Sequence, residues 1–171
     1  MGAQEQGAAE TRGRWLTIPR TLSFILNGDD VLLMKRSPHK RVFPNRYNGV
    51  GGHIERDEDP LTSARREIAE ETGLIVRDLH LRAVYNVDAG AQTGILLFIF
   101  TGETAVRVVT PNHEGTLHWV RRDQLFSLDL VDDLPILLPR ILAMQADDAP
   151  LFYHVGYDAH DVIAMRLADE G

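Results

Sequence analysis

Three glutamates in the middle of the chain are spaced so that their side chains can bind metal ions together. Glu67, Glu70 and Glu71 stand at positions i, i+3 and i+4, and helical residues at these spacings share one face. Carboxylates held this close repel one another, and a hard divalent cation such as Mg²⁺ relieves the repulsion through oxygen coordination. An ordinary solvated acidic helix face would show the same spacing, so the surrounding residues must decide between the two interpretations.

The residues around the glutamates predict one short helix between two loops. Asp59 is a favourable N-cap, and Pro60 suits the first helical position, where its missing N–H would have no partner anyway. Gly73 suits the left-handed position that ends a helix. Arg66 lies four residues before Glu70 and can also reach back toward Glu58, so we expect an arginine to be paired within the acidic cluster.

The spacing of the whole stretch resembles the Nudix box of the Nudix hydrolases. The match has no position missing, and it runs over Gly52, Glu58, Arg66-Glu67-Ile68, Glu70-Glu71 and Gly73-Leu74. The resemblance implies an α/β fold, a Nudix-type α/β/α sandwich with a mixed β-sheet between helices. It also implies metal-dependent hydrolysis of a diphosphate bond, which favours metal binding over a solvated acidic face.

The resemblance assigns roles to individual residues of the box. It places metal ligation on Glu70 and Glu71, with Glu67 as a ligand, a general base or both, and with the Gly52 carbonyl as a further ligand. Glu58 and Arg66 would orient the loop and the helix through an ion pair. The expected cofactor is Mg²⁺, with Mn²⁺ as an alternative ion.

A carboxylate outside the box is common in this family, and Glu114 is the candidate in this chain. It lies immediately before a predicted strand, where such enzymes often supply a distant metal ligand or base. The alternative is a solvated loop glutamate next to Gly115. The full candidate catalytic set is Glu67, Glu70, Glu71, Glu114 and Arg66.

Two other segments resemble the oxidised-purine nucleoside triphosphate diphosphatases. These are residues 47–52 and the region made of 119–125 and 130–135, and the resemblance implies that Asn48, Asp132 and Asp133 read the edge of a purine. Adjacent acids can share a proton, so that one donates to a base while the other accepts. The alternative is that both aspartates only cap the following helix.

One departure from that branch concerns base stacking. Relatives place a tryptophan just before the aspartate pair, whereas this chain has Leu130 and Val131. The stacking partner must then come from elsewhere, and the candidates are Phe43, Tyr47 and Phe24.

Basic residues cluster between positions 35 and 46 with no acid among them, and they are Lys35, Arg36, Lys40, Arg41 and Arg46. Such a cluster can attract and hold phosphates. Lys35 and Arg36 are the expected contacts because they end a predicted strand, and the alternative is a solvated basic loop. His53 is a phosphate contact or a structural histidine.

The remaining pattern predicts strands and a second helix. Strands are expected at residues 21–26, 31–35, 47–51, 75–87, 95–101 and 116–121, with a further short strand within 102–112. A helix is expected from 134 to about 146, kinked by Pro139. Residues 151–157 and 162–167 predict a closing β-hairpin, which resembles a late hairpin of the oxidised-purine branch.

Composition limits the class of protein. The 171 residues predict one domain over 14–171 after a disordered lead-in at 1–13. The net charge of −7, from 18 basic and 25 acidic residues, argues against binding duplex nucleic acid. The absence of cysteine fits a reducing cytoplasm. The N-terminal residues contain no apolar run, so neither a signal peptide nor a membrane anchor is expected there. A monomer and a homodimer are equally expected.

The expected activity is Mg²⁺-dependent hydrolysis of a nucleoside triphosphate to a monophosphate and pyrophosphate, with oxidised purine nucleotides such as 8-oxo-dGTP as substrates. An alternative is another nucleoside diphosphate derivative, such as ADP-ribose, a diadenosine polyphosphate or an RNA 5′ end. A non-catalytic binding module with this fold is a third reading, but it would predict a broken box, and every carboxylate is present.

Overall fold

The computed structural model describes residues 6–7, 13–110 and 112–168, so the predicted disordered lead-in lies almost entirely outside the described residues. The strands and helices follow in the order β1 Leu16–Asn27, β2 Asp30–Arg36, β3 Tyr47–Asn48, α1 Pro60–Thr72, β4 Leu79–Val87, β5 Thr93–Glu103, β6 Gly115–Arg121, α2 Leu134–Ile141, β7 Leu151–Tyr157 and β8 Ile163–Leu167. A 3₁₀ segment, Arg122–Ser127, separates β6 from α2.

The strands form one mixed sheet. Their order is β3-β2-β1-β5-β4-β7-β8, and β6 pairs with β2 beside this path. Two pairings are parallel: β1 with β5, and β4 with β7. The parallel pairings join segments far apart in sequence, and they place the central strands between the two helices.

Alternation along β1 and β2 divides the core between the two faces of the sheet. Ile25 and Leu32 pack with Ile68 of α1 on one face, whereas Phe24 and Leu33 pack with the α2 side on the other. Successive strand residues point to opposite faces, so each of these strands supplies both halves of the core. This arrangement confirms the predicted α/β/α sandwich with a mixed sheet.

Several predicted boundaries are wrong. The strand expected from residue 75 begins at Leu79, where pairing with β5 starts opposite Gly102. The register irregularity falls between Leu81 and Ala83 rather than near Asp78. The segment 104–110 contains no strand. The second helix runs through Pro139 but ends at Ile141 rather than near residue 146.

The late β-hairpin is confirmed. Strand β7 pairs with β8 in antiparallel register, with Val155 opposite Met165. Because β7 also pairs in parallel with β4, the hairpin extends the main sheet. No helix within the described residues is long and apolar enough to cross a membrane.

Candidate functional site

Helix α1 begins and ends as its sequence predicts. The Asp59 carboxylate accepts hydrogen bonds from the backbone N–H groups of Leu61 and Thr62 at 2.8 and 2.9 Å. At the other end Gly73 adopts φ 74° and donates its N–H to the carbonyl of Ala69. Ile68 is fully buried against the sheet, so the helix cannot rotate and its acidic face is fixed.

Arg66 ties three glutamates together on that face. Its guanidinium lies 2.7 Å from a Glu58 oxygen, 2.8 Å from a Glu67 oxygen and 3.0 Å from a Glu70 oxygen. The hydrogen bond from Arg66 lowers the pKa of Glu58, and the same carboxylates raise the pKa of Arg66. The predicted contacts of Arg66 with Glu58 and Glu70 are therefore present.

Glu71 is the third glutamate of the acidic face of α1, and its pKa is raised. Burial raises its pKa to about 7, and the charges of Glu67 and Glu114 add to this effect. The backbone N–H of Gly51 donates to Glu71 at 2.9 Å and opposes the shift. Burial raises the pKa of Glu67 as well. The structure therefore concentrates negative charge where water cannot fully solvate it.

Gly52 leaves the space that Glu67 occupies. A Cβ atom at Gly52 would lie 2.5 Å from Glu67 Oε1, so any side chain there would displace the carboxylate. The Gly52 carbonyl accepts the N–H of Thr21 at 2.9 Å, which leaves one lone pair for a further partner. The glycine thus permits a close approach between the loop and the helix.

Glu114 reaches the same region from outside the box. It forms an ion pair with Lys40, and His113 Nε2 lies 3.2 Å from its other carboxylate oxygen. Its charge contributes to the raised pKa of Glu71, which places it near the acidic face of α1. The structure therefore brings together Gly52, Glu67, Glu70, Glu71, Glu114 and Arg66.

The donor set fits a hard divalent cation. No group of three histidine, aspartate or glutamate side chains within residues 6–7, 13–110 and 112–168 forms a preassembled metal cage. Cations of the protein occupy the carboxylates instead, Arg66 at Glu67 and Glu70 and Lys40 at Glu114. Buried, mutually repelling carboxylates are the oxygen ligands that Mg²⁺ and Mn²⁺ prefer, and metal binding would relieve their repulsion.

The acidic face opens into a cavity of about 810 Å³. Its lining contains two polar groups. We call Glu67, Glu70, Glu71 and Glu114 the carboxylate end, and Asn48, Asp132 and Asp133 the base end. The two groups are electrostatically distinct, since Glu67 and Glu114 shift the pKa of Glu71 whereas Asp132 and Arg46 shift that of Asp133. Apolar side chains also line the cavity, among them Leu22, Val87, Ile95, Leu97, Val131, Val155 and Ile163. Such a cavity suits a ligand with an anionic part and a flat apolar part.

The pKa values of the two aspartates of the base end are shifted in opposite directions. Arg46 donates to Asp132 at 2.7 Å and lowers the pKa of Asp132. Burial raises the pKa of Asp133 to about 6, and the neighbouring charge of Asp132 adds to the shift. Asp133 occupies the N-cap position of α2 but makes no side-chain capping hydrogen bond, so capping does not account for its side chain.

The three stacking candidates separate by position. Phe43 lines the cavity. Phe24 is fully buried in the core and Tyr47 packs edge-on against His118, with ring centroids 5.6 Å apart, and neither lines the cavity. Tyr157 of β7, which the sequence analysis did not single out, also lines the cavity.

The basic residues separate in the same way. Arg36, Lys40 and His53 line the cavity. Lys35 does not, and its amino group lies 5.7 Å from the centroid of the Tyr47 ring. Strand alternation explains this result, because adjacent residues of β2 point to opposite faces of the sheet.

Arg20 is a second cavity residue that sequence reasoning missed. It belongs to β1 and stands on the same face as Leu22, two residues later. The sequence signal for this residue is an arginine at an inward position of a largely apolar strand. The strand predicted from the sequence begins at residue 21, whereas β1 begins at Leu16 and therefore includes Arg20.

Comparisons with known proteins agree with this geometry. The NUDIX domain model matches residues 17–141. The oxidized purine nucleoside triphosphate hydrolase of Mus musculus is 31% identical over 124 residues, covering 71% of this chain and 78% of the mouse protein. That of Danio rerio is 29% identical over 164 residues, covering 88% of this chain and 93% of its own length.

A solved structure shows the same fold. The MutT protein of Bacillus halodurans matches with a TM-score of 0.75 at 22% sequence identity, covering 90% of this chain and 99% of the MutT chain. Together with an unbroken acidic box on a capped helix, these matches fix the family. The chain belongs to the Nudix hydrolases as a MutT-like member, and it is an enzyme that cleaves phosphoanhydride bonds.

Proposed function

We propose that this enzyme uses Mg²⁺ to hydrolyse nucleoside triphosphates to monophosphates and pyrophosphate, and that oxidised purine nucleotides such as 8-oxo-dGTP are its preferred substrates. The observation that carries the proposal is the shared cavity. Its lining includes both the acidic face of α1 and a group formed by Asn48, Asp132 and the half-buried Asp133. A nucleotide presents the matching pair of features, a phosphate chain and a purine edge.

The residues of the carboxylate end divide the catalytic work. Glu67, Glu70, Glu71 and Glu114 would hold Mg²⁺, which neutralises phosphate charge and acidifies water when bound. Arg66 keeps Glu67 and Glu70 in place through its ion pairs. The Gly51 N–H fixes one oxygen of Glu71. Glu67, whose pKa is raised by burial, can accept a proton from the attacking water.

The residues of the base end supply recognition. The pKa of Asp133 is raised to about 6 while that of Asp132 is lowered, so Asp133 holds a proton more readily than its neighbour. A protonated Asp133 can donate a hydrogen bond to a purine while the ionised Asp132 accepts one. Two relatives named as oxidized purine nucleoside triphosphate hydrolases support the choice of substrate. Phe43 and Tyr157 offer aromatic surfaces to the base in place of the missing tryptophan.

The test is a pyrophosphate-release assay with Mg²⁺. The values of kcat/KM for the ordinary nucleoside triphosphates, 8-oxo-dGTP, ADP-ribose and a diadenosine polyphosphate are compared. We expect 8-oxo-dGTP to be preferred by about tenfold or more. A preference for ADP-ribose or the dinucleotide would contradict the substrate but keep the catalytic face, and no turnover of any substrate would support a non-catalytic module.

A further inference from the structure

Arg20 is a cation without an anion. Its side chain lines the cavity, and its Nε atom is buried without a hydrogen-bond partner. No carboxylate among the described residues pairs with its guanidinium. A partly buried charge left unpaired opposes folding, so a ligand is the natural partner for this group.

Arg36 adds a second positive charge near Arg20, and this favours binding of an anion. Burial lowers the pKa of Arg20, and the positive charge of Arg36 lowers it further. The charge of Arg36 also acts on Glu71, opposing the rise in its pKa, and Arg36 lines the same cavity, so it lies near the acidic face of α1 as well as near Arg20. Lys40, by contrast, is already paired with Glu114. Arg20 can therefore bind an anion without first breaking a contact.

Backbone pairing places Arg20 beside the carboxylate end of the cavity. Arg20 forms an antiparallel bridge with His53, and the next residue, Thr21, donates its N–H to the Gly52 carbonyl at 2.9 Å. Gly52 itself approaches Glu67 closely. An anion at Arg20 would thus lie near the acidic face of α1 rather than near the aspartates of the base end.

We propose that Arg20, together with Arg36, binds a phosphate group in the phosphate chain of the substrate. The assignment rests on the proposed function in one respect, namely that the substrate is a nucleotide. The planar guanidinium presents a fork of N–H donors that matches two phosphate oxygens, which a lysine cannot reproduce. The arginines of β1 and β2 would then bind the phosphate chain beside the carboxylates of α1, which would hold the metal ions.

The test measures binding of inorganic pyrophosphate by calorimetry, with and without Mg²⁺. We expect Arg20→Gln to weaken pyrophosphate binding by about ten- to a hundredfold, the loss typical of a charge-assisted hydrogen-bonded contact. Arg20→Lys should recover only part of the affinity. The control is Arg77→Gln, which removes the same charge from an exposed position outside the cavity and should bind as the wild type does.

Thermal unfolding separates binding from a structural role. Because the unpaired charge opposes folding, Arg20→Gln should melt at the same temperature as the wild type or higher. A lower melting temperature together with unchanged pyrophosphate affinity would overturn the inference. An equal loss of affinity in Arg77→Gln would overturn it too, since the effect would then reflect net charge alone.

A phosphate-free probe distinguishes this inference from the proposed substrate. We expect 8-oxo-deoxyguanosine to bind Arg20→Gln and the wild type equally, because it has no phosphate. If the wild type shows no preference for oxidised purines but Arg20→Gln still loses pyrophosphate affinity, the substrate proposal fails and the role of Arg20 stands. If Arg20→Gln loses affinity for the nucleoside as well as for pyrophosphate, the assignment to phosphate is wrong.

Discussion

The two ends of the cavity are built in different ways. The carboxylate end comes mainly from one continuous stretch, in which a capped helix sets Glu67, Glu70 and Glu71 at fixed spacings. The base end is assembled from β3, the turn before α2 and the hairpin β7–β8. Chemistry therefore depends on local structure that neighbouring residues specify, whereas recognition depends on how distant strands pair.

The difference suggests where variation is tolerated. Changing the carboxylate end breaks a compact set of contacts around Arg66. Changing the base end alters recognition side chains that stand on separate elements rather than on one helix. Mutations at the two ends should therefore differ in kind, with losses of turnover at one and losses of substrate preference at the other.

The largest effect is expected at the carboxylate end. Glu70→Gln or Glu71→Gln should lower kcat by about a thousandfold or more, because each removes a charge that metal binding needs. Both variants should stay folded, since neither side chain belongs to the apolar core. Steady-state kinetics with circular dichroism checks this. Glu103→Gln, an exposed change at the end of β5, is the control, and full activity in both test variants would remove the metal assignment.

A steric change at the same end should have the next largest effect. Gly52→Ala puts a methyl group 2.5 Å from Glu67 Oε1, so the carboxylate must move. We expect kcat to fall by about ten- to a hundredfold, since misplacement of a catalytic group by about 1 Å has that effect. The affinity for 8-oxo-deoxyguanosine should not change, because the base end is untouched. A nucleoside affinity that falls with kcat would contradict the separation of the two ends.

At the base end, Asp133→Asn should change selectivity and pH dependence. The folded pKa of Asp133 is about 6, above the ordinary value of 3.8. The wild type therefore loses stability as pH rises from about 4 to about 6, whereas both proteins are uncharged at this position below about pH 4. Asn cannot ionise, so the variant should be more stable than the wild type at about pH 8 by about 1–2 kcal/mol, with no difference at low pH.

Urea unfolding at the two pH values measures that difference, and kinetics measure recognition. We expect the preference for 8-oxo-dGTP over dGTP to fall by about tenfold in Asp133→Asn, the loss typical of one hydrogen bond to a ligand. The kcat on an ordinary nucleotide should remain close to that of the wild type. If the wild type and Asp133→Asn were equally stable at both pH values, folding would not raise the pKa of Asp133.

The smallest effect is expected from the aromatic residues. Removing a stacking surface with Tyr157→Ala or Phe43→Ala should raise KM by about fivefold, the lower end for base stacking because both side chains are partly exposed. Tyr157→Phe keeps the ring and is the matched control. An unchanged KM in both alanine variants would mean that neither ring replaces the missing tryptophan.

The sequence predicted the local part of this site well. Asp59, Gly73 and the pairing of Arg66 with Glu58 and Glu70 were all read from spacing, because capping and i, i+4 contacts depend on near neighbours. Strand alternation could also have shown that only one of Lys35 and Arg36 faces the cavity. It could not have shown which one.

The sequence could not predict contacts that arise from long-range pairing. Tyr157 enters the cavity only because β7 pairs in parallel with β4, with Val155 beside Val87. Arg20 stands out only when the surrounding charges are known, since an arginine in a strand usually finds a partner. The aspartate pair is an intermediate case. The sequence shows where the pair is, but it does not show the burial that raises the pKa of Asp133 or the Arg46 contact that lowers the pKa of Asp132.

The parallel pairing of β7 with β4 also determines when the cavity can be completed during synthesis of the chain. Helix α1 leaves the ribosome well before β7 and β8, so a nascent chain carries its acidic face while the opposite wall is still missing. Until β7 arrives, β4 presents unpaired backbone groups at an open sheet edge, which other chains can pair with. A truncated chain that ends before residue 151 would therefore tend to aggregate. It would keep its carboxylates but would lack an enclosed binding site for a base.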